Sequence, residues 1–126
     1  MVTLQIEPDE DTPLVNLNKE AGIFEISGKS MPEDVVLFYQ PVLDWMKNYL
    51  SDPLEKTVFN FKLIYFNTAS SKLILDLLML LEELEEKGHE VLVRWHAHVT
   101  DEDMQEAGEE YADMTGLKFE HLTFEG

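Results

Sequence analysis

The sequence predicts an α/β fold, a mixed β-sheet covered by about three helices, on three observations. Short β-type segments open the chain, and from there the hydrophobic pattern switches back and forth between strand and helix periods. Cap and stop residues punctuate each switch. Third, VFNFKLIYFNTASSKLILDLLMLL, from Val58 to Leu81, reads as a buried strand that passes without a spacer into an apolar helix. Strands alternating with helices in this way assemble into a sheet whose central strands are mainly parallel, with helices packed over it.

The elements follow in order. Leu4 to Glu7, Leu14 to Asn18 and Gly22 to Ser27 predict short strands, with Glu25 flanked by Phe24 and Ile26 as in a half-exposed one. Ser30-Met31-Pro32-Glu33 has the form of a capping box with proline in the first turn. The helix predicted after it carries Val35, Phe38, Val42, Trp45, Met46 and Tyr49 as its apolar stripe, and Pro41 is expected to bend it or loosen a turn. Asp52-Pro53 closes that element. In the next strand Val58, Phe59, Phe61 and Leu63 to Phe66 supply β-branched and aromatic residues. Asn67 or Thr68 can cap the following helix, which runs to Glu86 and stops at Lys87-Gly88. Glu90 to His98 is a strand, Thr100 to Asp103 opens a third helix ending at Gly116, and Leu117 to Phe124 is the last strand. From Leu73 to Leu81 the second helix is apolar almost all round, so it is either buried on both sides or offers a face to a partner.

Composition narrows the functional classes. With 126 residues and 44% hydrophobic content, residues 1–126 are expected to form one domain with a real core. Nine Lys and Arg stand against 26 Asp and Glu, a formal charge of −17 that repels nucleic acid and anionic membranes. Without cysteine there are no disulfides, zinc–thiolate sites or thiol catalysis. The N-terminus lacks the charged and apolar regions of a secretory signal, and no apolar run spans a bilayer, so a cytoplasmic location is expected.

Few residues carry chemistry. No phosphate-binding glycine motif is present, since Gly108 and Gly116 stand alone, and the S-x-x-K nucleophile pattern fails because Ala69 precedes Lys72 by three. His96 and His98 alternate on one strand and, with Asp101 or Asp103, could serve a small metal-dependent enzyme; the plainer reading is an exposed strand end that binds nothing. Thr68 holds a hydroxyl at the mouth of a helix, where free N–H groups and the helix dipole tolerate a phosphate. As a cap it needs no such role. Both readings stand on spacing alone.

Longer blocks carry a resemblance. Met31-Pro32-Glu33-Asp34, Phe38-Tyr39-Gln40-Pro41 to Trp45, Tyr65 to Lys72 (YFNTASSK), Val93 to His96 and Asp101 to Glu109 together resemble the SiaC family of bacterial regulatory phosphoproteins. The likeness runs from about Thr12 to the final strand, with YFNTASSK its most specific part; Met31 departs from the aromatic residue more usual there. It implies a STAS-like fold, as in anti-sigma-factor antagonists, and a regulator without enzymatic activity or cofactor. It further implies a phosphoacceptor at Thr68, served by a dedicated kinase and a PP2C-type phosphatase. The unmodified form is then expected to bind and activate a diguanylate cyclase, in cyclic di-GMP signalling that favours biofilm. The surface involved would include Asn67, Thr68, Ala69, Ser70, Ser71 and Lys72.

Overall fold

A computed structural model describes residues 1–126. The elements are β1 (Leu4–Ile6), β2 (Leu14–Asn18), β3 (Ile23–Ser30), α1 (Val35–Tyr49), β4 (Lys56–Phe66), α2 (Thr68–Glu86), β5 (Glu90–His98), α3 (Glu102–Thr115) and β6 (Lys118–Phe124). They build one mixed six-stranded sheet in which the strands lie side by side in the order of the sequence. β1, β2 and β3 form an antiparallel meander; β3 to β6 are parallel, each joined to the next by a helical crossover. The predicted α/β sheet and its element order are therefore what forms.

Burial alternates strictly from Lys56 to Ile64 of β4 and all along β5. Thr57, Phe59, Phe61 and Leu63, then Val91, Val93, Trp95 and Ala97, point into the core, while their neighbours do not. A period of two with one buried set means that one face of the sheet is covered and the other is open. On the covered face Phe24, Phe59, Phe61 and Trp95 meet Trp45 and Tyr49 of α1 and Tyr111 of α3 in a continuous aromatic cluster. On the open face, cross-strand ion pairs bridge neighbours: Lys62 to Glu25 at 3.1 Å, Lys56 to Glu90 at 3.1 Å and Arg94 to Glu120 at 3.0 Å. Charge is thereby sorted by element type. The helices hold twelve acids and two bases, whereas the strands hold three acids and five bases.

One expectation is corrected. Ser30 does not cap α1: it ends β3, fully buried, and Asp34 is the cap, its Oδ1 accepting from the Leu37 amide at 3.0 Å. Pro41 lies inside α1, which stays continuous from Val35 to Tyr49. The nearly all-round apolar character of α2 also has an explanation. It sits between α1 and α3 over the sheet, so Leu73, Ile74, Leu77, Leu78, Leu81 and Leu84 are buried, and beyond its first turn the exposed residues are Lys72, Met79, Glu83, Glu85 and Glu86. Most of its apolar circumference is used within the molecule.

Candidate functional site

Because β3, β4 and β5 run parallel, all three crossover helices begin at the same end of the sheet, capped by Asp34, Asn67 and Asp101. In sheets of this kind the carboxyl ends of the strands are where ligands and partners are met. The β4–α2 junction lies there, and its local structure follows from four adjacent side chains.

Asn67 takes the cap role: its Oδ1 accepts from the Ser70 amide at 2.8 Å, and its own N–H donates to the Ser30 carbonyl at 3.1 Å. Thr68 is thus the first residue of α2, exposed, and its hydroxyl makes neither of the cap's hydrogen bonds. Ser70 is fully buried. Its hydroxyl donates to the Ser30 carbonyl at 2.9 Å and accepts from Ser30 Oγ at 2.9 Å. Since the one proton of Ser30 is committed to Ser70, the Tyr39 hydroxyl must be the donor across the 2.6 Å contact to Ser30 Oγ. Burial pushes the Tyr39 phenol up to about 12, which keeps that donor protonated. Ser71 is half-buried and donates to the Thr68 carbonyl at 2.6 Å, while its own carbonyl accepts from Tyr111 at 2.8 Å. Of the three aliphatic hydroxyls from Thr68 to Ser71, only that of Thr68 is both exposed and uncommitted to this network.

Ala69 and Lys72 are also exposed, and the Lys72 ammonium belongs to none of the protein's ion pairs. Thr68, Ala69 and Lys72 border a groove between α1 and α2 whose other wall includes Val35 and Val36. Large apolar side chains stand exposed at this end of the sheet and helices, Val36 and Leu37 on α1 and Ile64 and Tyr65 on β4.

The histidines and acids of the alternative reading are not brought together. His96 lies on the open face with its Nε2 3.1 Å from Asn60 Oδ1, and burial together with the Lys62 and Arg94 cations holds its imidazole below the ordinary 6.5. His98 Nδ1 accepts from the Thr100 amide at 3.1 Å. Asp101 instead caps α3, and with Asp103 borders a depression beside Ile64 and Tyr65. No three His, Cys, Asp or Glu side chains are grouped to hold a metal ion, and no helix is long and apolar enough to cross a membrane.

Comparison with known proteins bears on this junction. The family described as SiaC family regulatory phosphoprotein matches residues 6–124. The chain belongs to the SiaC family. A relative from Pseudomonas aeruginosa strain UCBPP-PA14, itself uncharacterised, is 32% identical over 119 residues, covering 94% of each chain. Apo-SiaC of Pseudomonas aeruginosa superposes with a TM-score of 0.88 at 30% identity, over 97% of this chain and 99% of that one. A chain from the crystal structure of the diguanylate cyclase SiaD in complex with its activator SiaC, also of Pseudomonas aeruginosa, gives a TM-score of 0.90 at 30% identity, covering 96% and 99%. The six-stranded sheet with three helices is thus the architecture of the solved SiaC proteins. Sequence reasoning missed Ser30 and Tyr39 as parts of the junction. The signal available was Tyr39 itself, four residues after Val35 and three before Val42, on the buried stripe of α1.

Proposed function

We propose that this member of the family is a phosphorylation-controlled protein–protein switch without enzymatic activity, in which residues 1–126 act as one cytoplasmic regulatory domain. In its unmodified form it binds and activates a diguanylate cyclase, the partner named for the similar SiaC chain in complex with SiaD. A kinase adds phosphate to Thr68 and turns binding off; a PP2C-type phosphatase restores it. Asn67, Thr68, Ala69, Ser70, Ser71 and Lys72 form the controlling segment, Ser70 from inside the fold and the others at its surface.

One observation carries this reading. At the start of α2 the cap is made by Asn67 and the neighbouring serines are hydrogen-bonded inward, which leaves Thr68 as the hydroxyl open to a kinase. A phosphate there adds about −1.5 to −2 charges. Within the domain the helix N-terminus tolerates that charge. Against a docked partner it must be desolvated, and a penalty of about 3 kcal/mol weakens binding more than a hundredfold.

The test is to incubate the protein with its kinase and ATP, map the phosphopeptide, and titrate unmodified and phosphorylated protein against the purified cyclase. Modification confined to Thr68 and weakened binding of the phosphoprotein support the reading. Phosphate on Ser71 that persists in Thr68→Ala, or equal affinities of the two forms, would remove the mechanism.

A further inference from the structure

The strand that delivers Thr68 is irregular just before it. Gly28 of β3 pairs with Leu63 and Lys29 with Tyr65, so β4 carries one extra residue, Ile64, as a bulge. Bulges re-aim the residues that follow them. Here the shift sets Phe66 opposite Ser30, and the Asn67 amide donates to the Ser30 carbonyl at 3.1 Å. The end of β3 thereby becomes the support on which the first turn of α2 rests.

That turn has little else to steady it. Thr68 and Ala69 are exposed, and no acid lies in the turn to offset the positive pole of the helix. Helix ends of this kind open at little cost. Two tyrosines hold this one, each from a neighbouring helix. From α1, the fully buried Tyr39 donates to Ser30 Oγ at 2.6 Å, and Ser30 donates on to Ser70 Oγ at 2.9 Å. From α3, Tyr111, only 5% exposed, donates to the Ser71 carbonyl at 2.8 Å. Phenylalanine would fill the same space at either position. What each hydroxyl adds is a hydrogen bond aimed at one turn.

We infer that Tyr39 and Tyr111 are positioning residues for Thr68. Acting through Ser30, Ser70 and the Ser71 carbonyl, their hydroxyls fix the first turn of α2 so that Thr68 is held where a kinase can transfer phosphate to it. The inference rests on the switch reading for the identity of the acceptor. In that transfer a bond forms between Thr68 Oγ1 and the γ-phosphorus of ATP. The bond from that phosphorus to the β,γ-bridging oxygen breaks, ADP leaves, and the threonine proton passes to a base of the kinase. Neither tyrosine touches these atoms. Their effect is on placement, and a displacement of about 1 Å costs on the order of a hundredfold in rate.

The same helix supplies a matched control. Tyr49, at the other end of α1, is as buried as Tyr39, and its hydroxyl meets Thr57 Oγ1 at 2.8 Å and the Leu54 amide at 3.1 Å. Thr57 lies at the start of β4, the end away from Thr68. Tyr39→Phe, Tyr111→Phe and Tyr49→Phe each remove one buried hydroxyl and almost no volume. Single-turnover phosphorylation of these proteins and wild type by the kinase with ATP, over a range of kinase concentrations, separates the rate of transfer from affinity. Phosphopeptide mapping reads Thr68, and NMR follows amide hydrogen exchange in the same proteins.

Tyr39→Phe and Tyr111→Phe slow transfer about fivefold or more, leave the half-saturating kinase concentration near that of wild type, and speed exchange of the Ser70 and Ser71 amides by a similar factor. Ser70→Ala, which cuts the Tyr39 route at its last link, reproduces Tyr39→Phe. Tyr49→Phe lowers the melting temperature no less than they do, yet keeps the wild-type transfer rate and the wild-type exchange at Ser70 and Ser71. An unchanged transfer rate in either tyrosine variant removes that residue from the role, and an equal loss in Tyr49→Phe reduces the effect to general stability; in both cases Thr68 remains the acceptor. Wild-type protein that takes no phosphate on Thr68 overturns the switch reading itself.

Discussion

Replacing Gly108 by alanine sets two effects of known size against each other. Alanine in the interior of a helix is favoured over glycine by about 1 kcal/mol, so an exposed Gly→Ala change in α3 would stabilise the protein. Gly108 is instead buried against Trp95 of β5. A Cβ built there would lie 2.7 Å from the indole Cγ and 2.8 Å from Nε1, and closer still to Cδ1, where ordinary contact begins near 3.4 Å. The indole cannot retreat: it is 1% exposed, packed by Phe61 and Tyr111, and its Nε1–H donates to the Met104 carbonyl at 2.8 Å. Overpacking of this kind costs about 1–3 kcal/mol, and loss of the indole hydrogen bond adds about 1 kcal/mol. With the propensity gain subtracted, Gly108→Ala should destabilise the domain by about 2 kcal/mol. Urea unfolding followed by tryptophan fluorescence measures this, with Glu109→Gly at the adjacent exposed position calibrating propensity in the same helix. A Gly108→Ala protein as stable as wild type, with an unchanged near-ultraviolet tryptophan spectrum, would refute the packing argument.

Other outcomes follow from the junction and the open face. Asn67→Ala removes the α2 cap and should cost about 1 kcal/mol in urea unfolding; no loss would mean that another group caps the helix. Ser70→Ala leaves Ser30 and Tyr39 with an incomplete buried network and should cost about 1–3 kcal/mol, whereas Thr68→Ala should stay within about 0.5 kcal/mol of wild type. Thermal melts of the pair check the contrast, and equal losses would contradict the division between inward and outward hydroxyls. The folded His96 imidazole binds its proton more weakly than the unfolded one, so its contribution to stability is present above about pH 6.5 and is lost as pH falls through the lowered folded value. Urea midpoints at pH 7 and 5.5 should therefore fall further for wild type than for His96→Gln, by a small amount because the ring is partly exposed; identical changes would exclude the effect.

The order of elements was legible because each boundary carries its own chemistry, as at Asn67 and Gly116. What escaped was long-range. The S-x-x-E pattern at Ser30 satisfies the local rule for a capping box, yet Ser30 serves Tyr39 and Ser70, nine and forty residues away. No local pattern announces such a partner, and Asp34 was free to cap instead. The leucines of α2 were ambiguous for a related reason. Their number signals burial on more than one side, but whether a neighbouring helix or another protein provides it depends on where α1 and α3 settle. Thr68 was placed correctly at the helix mouth, while its freedom from capping could be decided only once Asn67 Oδ1 was located.

Placing the strands side by side in the order of the sequence also governs how the molecule can be made and pulled apart. During synthesis, each new strand can dock on the edge formed by the one before it, and none has to be inserted between two strands already paired. The parallel pairs nevertheless join residues about 26 to 36 apart in sequence, as in Lys56 with Glu90, and pairing across crossovers of that length is slow beside the closing of a local hairpin. Run backwards, the same layout makes the C-terminal strand, β6, an outermost layer. Tension applied at Gly126 meets β6 first, then α3, then β5. The α/β part can therefore be unwound one strand-and-helix unit at a time from that edge, with the β1–β3 meander the last to be reached.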